Sequence, residues 1–212
     1  MFKRLLGCAC SLFLLGNFIS GHAYEQHASL ASLPVLLSAE ASIGGGQKAA
    51  VHQITTHPGI CYFPVMITSY GSTVELNDGS SWVVSPEDSY KVLNWFYTDA
   101  VVITPNQDWF SPYAYCLNNQ TTMVAVRVNL TAGSVYYGPY THWITCIDTF
   151  NDLIYLEDGS VWGMKDYPVF KKWAVNDRVL IGLNSGWYAS REPNILLNVN
   201  TGDYACCKCF QY

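Results

Sequence analysis

From about residue 58 onward the chain is written in short runs where apolar and polar residues alternate, separated by turn residues. A period of two puts alternate side chains on one face, the pattern of half-buried strands. The first half predicts strands at 60–69, 73–77, 80–84, 100–104, 113–117 and 122–129. Ser85-Pro86-Glu87-Asp88 has the composition of a helix start, with Pro at the first helical position, and predicts a short helix through Asn94. In the second half, Pro168 within 166–172 allows one helical turn at most. Close-spaced short strands with turn signals argue for small barrels or sandwiches.

One phrase occurs twice, 80 residues apart: Leu76-Asn77-Asp78-Gly79-Ser80-Ser81-Trp82 and Leu156-Glu157-Asp158-Gly159-Ser160-Val161-Trp162. Asp-Gly between alternating runs signals a hairpin. A two-residue loop would put Leu76 and Trp82 on opposite faces. A three-residue loop pairs Leu76 with Ser80 and Val74 with Trp82, so Val74, Leu76 and Trp82 share one face. One face must be apolar, so the longer loop is predicted, with Gly79 and Gly159 in the left-handed position.

The match extends on both sides. Phe63, Ile67 and Tyr70 align with Trp143, Ile147 and Phe150. Trp95-x-x-x-Asp99-x-Val101-x-Ile103 aligns with Trp173-x-x-x-Asp177-x-Val179-x-Ile181, after a two-residue deletion. An insertion of two residues after Trp187 restores the offset and matches Leu117-Asn118 to Leu197-Asn198. Self-similarity on this scale predicts two copies of one small module, 58–131 and 132–212, each long enough for its own core. The expected fold is all-β, with two tandem homologous β-barrel or sandwich modules. The phrase and its Trp-x-x-x-Asp-x-Val-x-Ile sequel resemble small exported proteins of chlamydia-type bacteria that carry Asp-Gly-Ser-x-Trp modules. The resemblance covers 67–205 and implies no catalytic residues.

Composition adds compartment and partner class. Lys3 and Arg4, the apolar run from Leu5 to Ile19, and small residues at Gly21 and Ala23 make 1–23 a secretory signal, cleaved after Ala23. Residues 24–57, with Gly44-Gly45-Gly46, are expected as a flexible leader, with a short helix at 30–42. The expected location is periplasm, outer envelope or outside the cell. After signal removal no segment is apolar for long enough to span a membrane. The net charge is −5, and the only basic cluster is Lys171-Lys172, which argues against nucleic acid. The mature cysteines Cys61, Cys116, Cys146, Cys206, Cys207 and Cys209 are even in number, which for an exported chain predicts disulfides, one of them from the 206–209 cluster.

Candidate chemistry is sparse. Asp78, Asp158, Asp99 and Asp177 have the placement of turn carboxylates. Cys61 with His57 or His142 is the nearest approach to a nucleophile pair and has no flanking motif. Cys206-Cys207-x-Cys209 lacks the second pair a zinc site needs. No catalytic residue, metal or cofactor is therefore expected. If Trp109 and Trp187 face the core, Phe110 and Tyr188 face outward, because neighbours in an extended segment point oppositely. Phe110 and Tyr188, with Tyr136 and Tyr137 of the link, are the candidate contacts for a partner, either a protein or an envelope component. A hydrolase with its site between the modules, or a glycan-binding module, is the alternative.

Overall fold

Two six-stranded antiparallel sheets follow one another along the chain in a computed structural model that describes residues 57–164 and 167–211. The expected signal peptide (1–23) and the expected leader with its short helix, apart from His57, lie outside the described residues; His57, at the end of that leader, is buried rather than flexible. The first sheet contains β1 (Pro64–Ile67), β2 (Thr73–Leu76), β3 (Ser81–Val84), β4 (Val101–Pro105), β5 (Tyr115–Asn119) and β6 (Val124–Ala132), in the order β1-β2-β3-β6-β5-β4. The second contains β7 (His142–Asp148), β8 (Leu153–Leu156), β9 (Val161–Met164), β10 (Arg178–Leu183), β11 (Asn194–Asn198) and β12 (Tyr204–Gln211). It repeats the order as β7-β8-β9-β12-β11-β10 and closes into a barrel. The protein is thus all-β, with two modules of one topology.

Both phrases form three-residue loops. Leu76 N donates to Ser80 O at 2.9 Å, Gly79 N donates to Leu76 O at 2.8 Å, and Val74 pairs with Trp82. The second loop repeats these bonds, with φ of 84° at Gly79 and 85° at Gly159. A side chain there would be strained, which is why both phrases carry glycine. Trp82 and Trp162 are fully buried beside Leu76 and Leu156. Each indole N–H donates to its own phrase serine, Trp82 to Ser80 Oγ and Trp162 to Ser160 Oγ. The serine therefore lets a large ring enter the core without an orphan donor.

Bulges recur at matched places: between Pro64 and Met66 and between Ile144 and Cys146, and again where β6 meets β3 and β12 meets β9. A buried Asp–Asn clamp also recurs. Asp99 Oδ2 accepts from Phe96 N at 3.0 Å and Asn119 Nδ2 at 2.7 Å; Asp177 Oδ2 accepts from Ala174 N and Asn198 Nδ2, both at 2.8 Å. The clamp shows Asn119 to be the counterpart of Asn198. Leu117-Asn118 therefore matches Leu196-Leu197, and the loop after Trp187 gains one residue, where the sequence match implied two. The first helix also differs from expectation. It is α1 (Ser89–Val92), and Asp88 precedes it without capping it, because its carboxylate is bonded to Arg127 and Lys91. The second, α2 (Tyr167–Phe170), is a single turn.

Closure separates the modules. In the second, Trp143 and His142 pair with Arg178 and Val179, and Ile144 N extends the ladder to Asp177 O at 2.9 Å. In the first, Tyr62 and Val101 exchange bonds of 2.9 and 2.8 Å as an isolated bridge. Pro64 stands where Ile144 does and has no N–H for Asp99 O. The first sheet is accordingly a half-closed barrel. Its open side meets the second module. Val102 and Ile60 enter the second core, while Leu180, Leu197 and Val199 enter the first. This exchange is why β4 and β11 are buried at every position, with no polar face.

Candidate functional site

The loops after β4 and β10 are built alike. Asn106 Oδ1 accepts from Asp108 N and Asn106 Nδ2 donates to Tyr113 O at 2.8 Å; Asn184 Oδ1 accepts from Gly186 N and Asn184 Nδ2 donates to Glu192 O at 2.8 Å. One asparagine thus braces the base of each loop. The loops are neighbours. Gln107 Nε2 donates to Ser185 Oγ at 3.3 Å, and Ser185 Oγ donates to Pro105 O at 3.2 Å.

Beyond these bases stand four rings: Trp109 at 96% exposure, Phe110 at 98%, Trp187 at 99% and Tyr188 at 68%. Phe110 and Tyr188 face outward as expected. Trp109 and Trp187, whose core placement was the condition for that expectation, are exposed like their neighbours. The alternation argument assumed extended backbone, and both segments are turns. Asp108 accepts from Phe110 N at 3.0 Å and from Ser111 N, and Tyr188 O accepts from Arg191 N and Glu192 N at 2.9 Å. A turn can aim adjacent side chains the same way, so both rings of each pair are left outside.

Tyr136 and Tyr137 are not part of this end. Tyr136 lies under the Arg178 guanidinium, whose centre is 3.8 Å from the ring, and Tyr137 meets Trp143 edge-on at 5.0 Å. Arg178 begins β10 and the Trp187 loop follows its other end, so the two sets lie about one strand length apart, roughly 3.3 Å per residue along the strand. Both link tyrosines keep exposed surface, but their rings are engaged within the second module.

A second grouping lies at the Arg178 end, where His142 pairs with Val179. His57, 1% exposed, precedes a 3₁₀ turn at Pro58–Ile60 and accepts from Gly59 N through Nδ1 at 3.0 Å. That bond leaves the ring proton on Nε2, which donates to Asp158 Oδ2 at 2.9 Å. His142 Nδ1 is 2.8 Å from Glu157 Oε1 and 3.5 Å from Asp158 Oδ2. Glu157 Oε2 accepts from Trp143 N at 2.8 Å. Burial alone would raise the Asp158 pKa; the bonds from His57 and Ser160, with the nearby His142, outweigh it and hold the carboxyl well below the usual range.

Asp78 is the counterpart with the opposite balance. Its Oδ1 accepts from Ser80 N and Ser80 Oγ, but Oδ2 is buried with no partner. Burial wins over those bonds and raises its pKa. Both aspartates close their own turns, as expected of them. The sequence did not reveal that Asp158 would also gather two histidines. His142 aligns with Tyr62, so the pairing exists in one copy only. The asymmetry was the signal: Tyr62, Asn77 and Asp78 in one module against His142, Glu157 and Asp158 in the other.

Among the described residues no disulfide is present. Cys61, Cys116, Cys146, Cys207 and Cys209 are free thiols. Cys207 and Cys209 pair with Met164 and Trp162 as Val128 and Leu130 pair with Val84 and Trp82, so they serve as small apolar core residues. Cys206 is on the other face of the same strand. Burial raises the Cys61 thiol pKa, the reverse of an activated nucleophile. Comparisons with protein-family models, curated proteins and solved structures give no match. Among the described residues no helix is long and apolar enough to cross a membrane.

Proposed function

We propose that this is an exported, non-enzymatic protein made of two copies of one β module, akin to the exported chlamydia-type modules, that docks a protein or cell-envelope component through the rings of its paired loops. The observation behind this reading is the set Trp109, Phe110, Trp187 and Tyr188 on neighbouring loops. Exposed rings cost solubility, and four on adjacent braced loops are hard to account for as chance surface. Trp and Tyr also supply large contact area for little side-chain entropy, and the asparagine braces reduce the ordering cost on binding. Among the described residues, the converging titratable groups are bonded to one another and to backbone, which favours a binder over a hydrolase.

The test is retention in the envelope fraction of the producing cell, with thermal unfolding measured beside it. Phe110→Ala and Tyr188→Ala should each weaken retention by about 5- to 150-fold, as for a ring costing about 1–3 kcal/mol, with unchanged unfolding. If both variants, and Trp109→Ala with Trp187→Ala, are retained like the native chain, the docking role of this end is wrong.

A further inference from the structure

We propose that His57, His142 and Asp158 form a site for one divalent transition-metal ion of the zinc class, which staples the 3₁₀ turn at Pro58–Ile60 to the second barrel. The three donor groups present atoms that all lie within 4.8 Å of one another. An ion about 2.0–2.1 Å from each of its tetrahedral ligands separates neighbouring donors by roughly 3.3 Å. The distances here bracket that value, with His57 Nε2 at 2.9 Å and His142 Nδ1 at 3.5 Å from Asp158 Oδ2. Two imidazoles and a carboxylate suit zinc, cobalt or nickel; calcium and magnesium take oxygen ligands.

The first module shows that the fold does not require this arrangement. There Asn77 Oδ1 accepts from Phe63 N at 3.0 Å, the bond that Glu157 Oε2 makes with Trp143 N. Backbone closure therefore needs one oxygen, and Glu157 carries a second beside His142. Tyr62 stands in place of His142 and carries no ligating nitrogen. The second module thus departs from the first at His142 and Glu157, and both lie beside Asp158, which His57, just ahead of the first module, also reaches. Gly59 gives them room, since a Cβ there would come within 2.5 Å of His142 Nε2. Asp158 Oδ1 is held by Ser160 N at 2.8 Å, and the His57 ring is packed 5.3 Å from that of Trp162, so the donors are oriented in advance.

Binding must change the His57 tautomer. An ion on Nε2 takes the lone pair there and leaves the ring proton on Nδ1. The Gly59 N–H then faces another donor and has to turn away. The ion likewise takes the lone pair of His142 Nδ1, so that ring carries its proton on Nε2 and gives up its bond to Glu157 Oε1; these two hydrogen bonds are a small loss against three metal–ligand bonds.

The experiment is cobalt titration of the chelator-stripped full chain, followed by zinc competition. Expected is one equivalent of cobalt giving the visible absorption of a low-coordinate nitrogen–oxygen site, bleached by zinc, with a rise in thermal midpoint on zinc addition. His142→Tyr, which installs the residue of the first module, and Asp158→Asn should fold yet lose both signals. A His142→Ala variant checks the same point without the bulk of a ring. No cobalt uptake by the native chain overturns the proposal. So does a thiolate charge-transfer band that persists in the folded His142 variants, which would place the ion on the cysteines.

Discussion

Asp78 and Asp158 are the same residue in the same turn, and their surroundings make them opposites. Each gives Oδ1 to the serine two residues on. Asp158 gives Oδ2 to His57, while Asp78 Oδ2 is buried with nothing to accept from. Asp78→Asn keeps the turn bonds and removes a buried charge, so at pH 7 it should be neutral or stabilising. Asp158→Asn turns an amide N–H toward the His57 Nε2–H and should cost about 1–3 kcal/mol. Urea unfolding of both variants at pH 7 checks the pair, and equal effects would mean that the two carboxylates are not distinguished by their partners. The turn was legible in the sequence, because side-chain parity and Asp-Gly act locally. The partner of Oδ2 was not, because His57 is 101 positions away.

At the scale of elements, α1 is tied to β6 by a carboxylate cluster. Asp88 accepts from Arg127 Nε at 2.8 Å, Arg127 N at 3.0 Å and Lys91 Nζ at 2.6 Å. Burial would raise its pKa; these bonds outweigh that and bring it to about 2. The folded value lies below the unfolded one, so the stabilisation is complete above pH ~4 and is lost as pH falls toward 2, on the order of 2 kcal/mol. Asp88→Asn should therefore lose stability at pH 7 and flatten the acid limb of the stability curve between those values. A parallel acid limb in the variant, followed by circular dichroism, would assign the loss to other carboxylates. Strands such as β2, β3, β8 and β9 could be read from alternation because one face of each is buried in its own module and the other is not, whereas β4 and β11 are buried at every position. The helix start could not, since Ser85-Pro86-Glu87-Asp88 matches a cap in composition while its acid is recruited by Arg127, 39 residues on. The Trp109 and Trp187 loops were missed for a related reason: alternation holds only in extended backbone. Cys207 and Cys209 were counted as disulfide partners because composition does not show that they occupy the core positions of Val128 and Leu130.

Across the whole molecule, each module completes the other. Tyr62 is the clearest link: its hydroxyl accepts from Ile181 N at 2.9 Å and donates to Ile181 O at 3.1 Å. Burial, with the Asp78 charge behind it, pushes the Tyr62 phenol well above its ordinary pKa, so it stays neutral and serves both groups. Tyr62→Phe removes both bonds and strands a backbone N–H and C=O in the interface, which should cost about 1–3 kcal/mol. Leu180 carries the packing side of the same argument. It belongs to β10, yet its side chain lies in the core with Trp82, Leu76 and Leu117. Leu180→Ala should cost about 2–5 kcal/mol, the range for a buried leucine. With cores exchanged in this way, neither module can unfold without exposing the apolar surface of its neighbour. The native chain should therefore melt in one cooperative transition, and both substitutions should lower that single midpoint. Calorimetry with tryptophan fluorescence separates the cases. Two resolved transitions, with Leu180→Ala shifting only one, would show that the modules are independent and that the shared core contributes little.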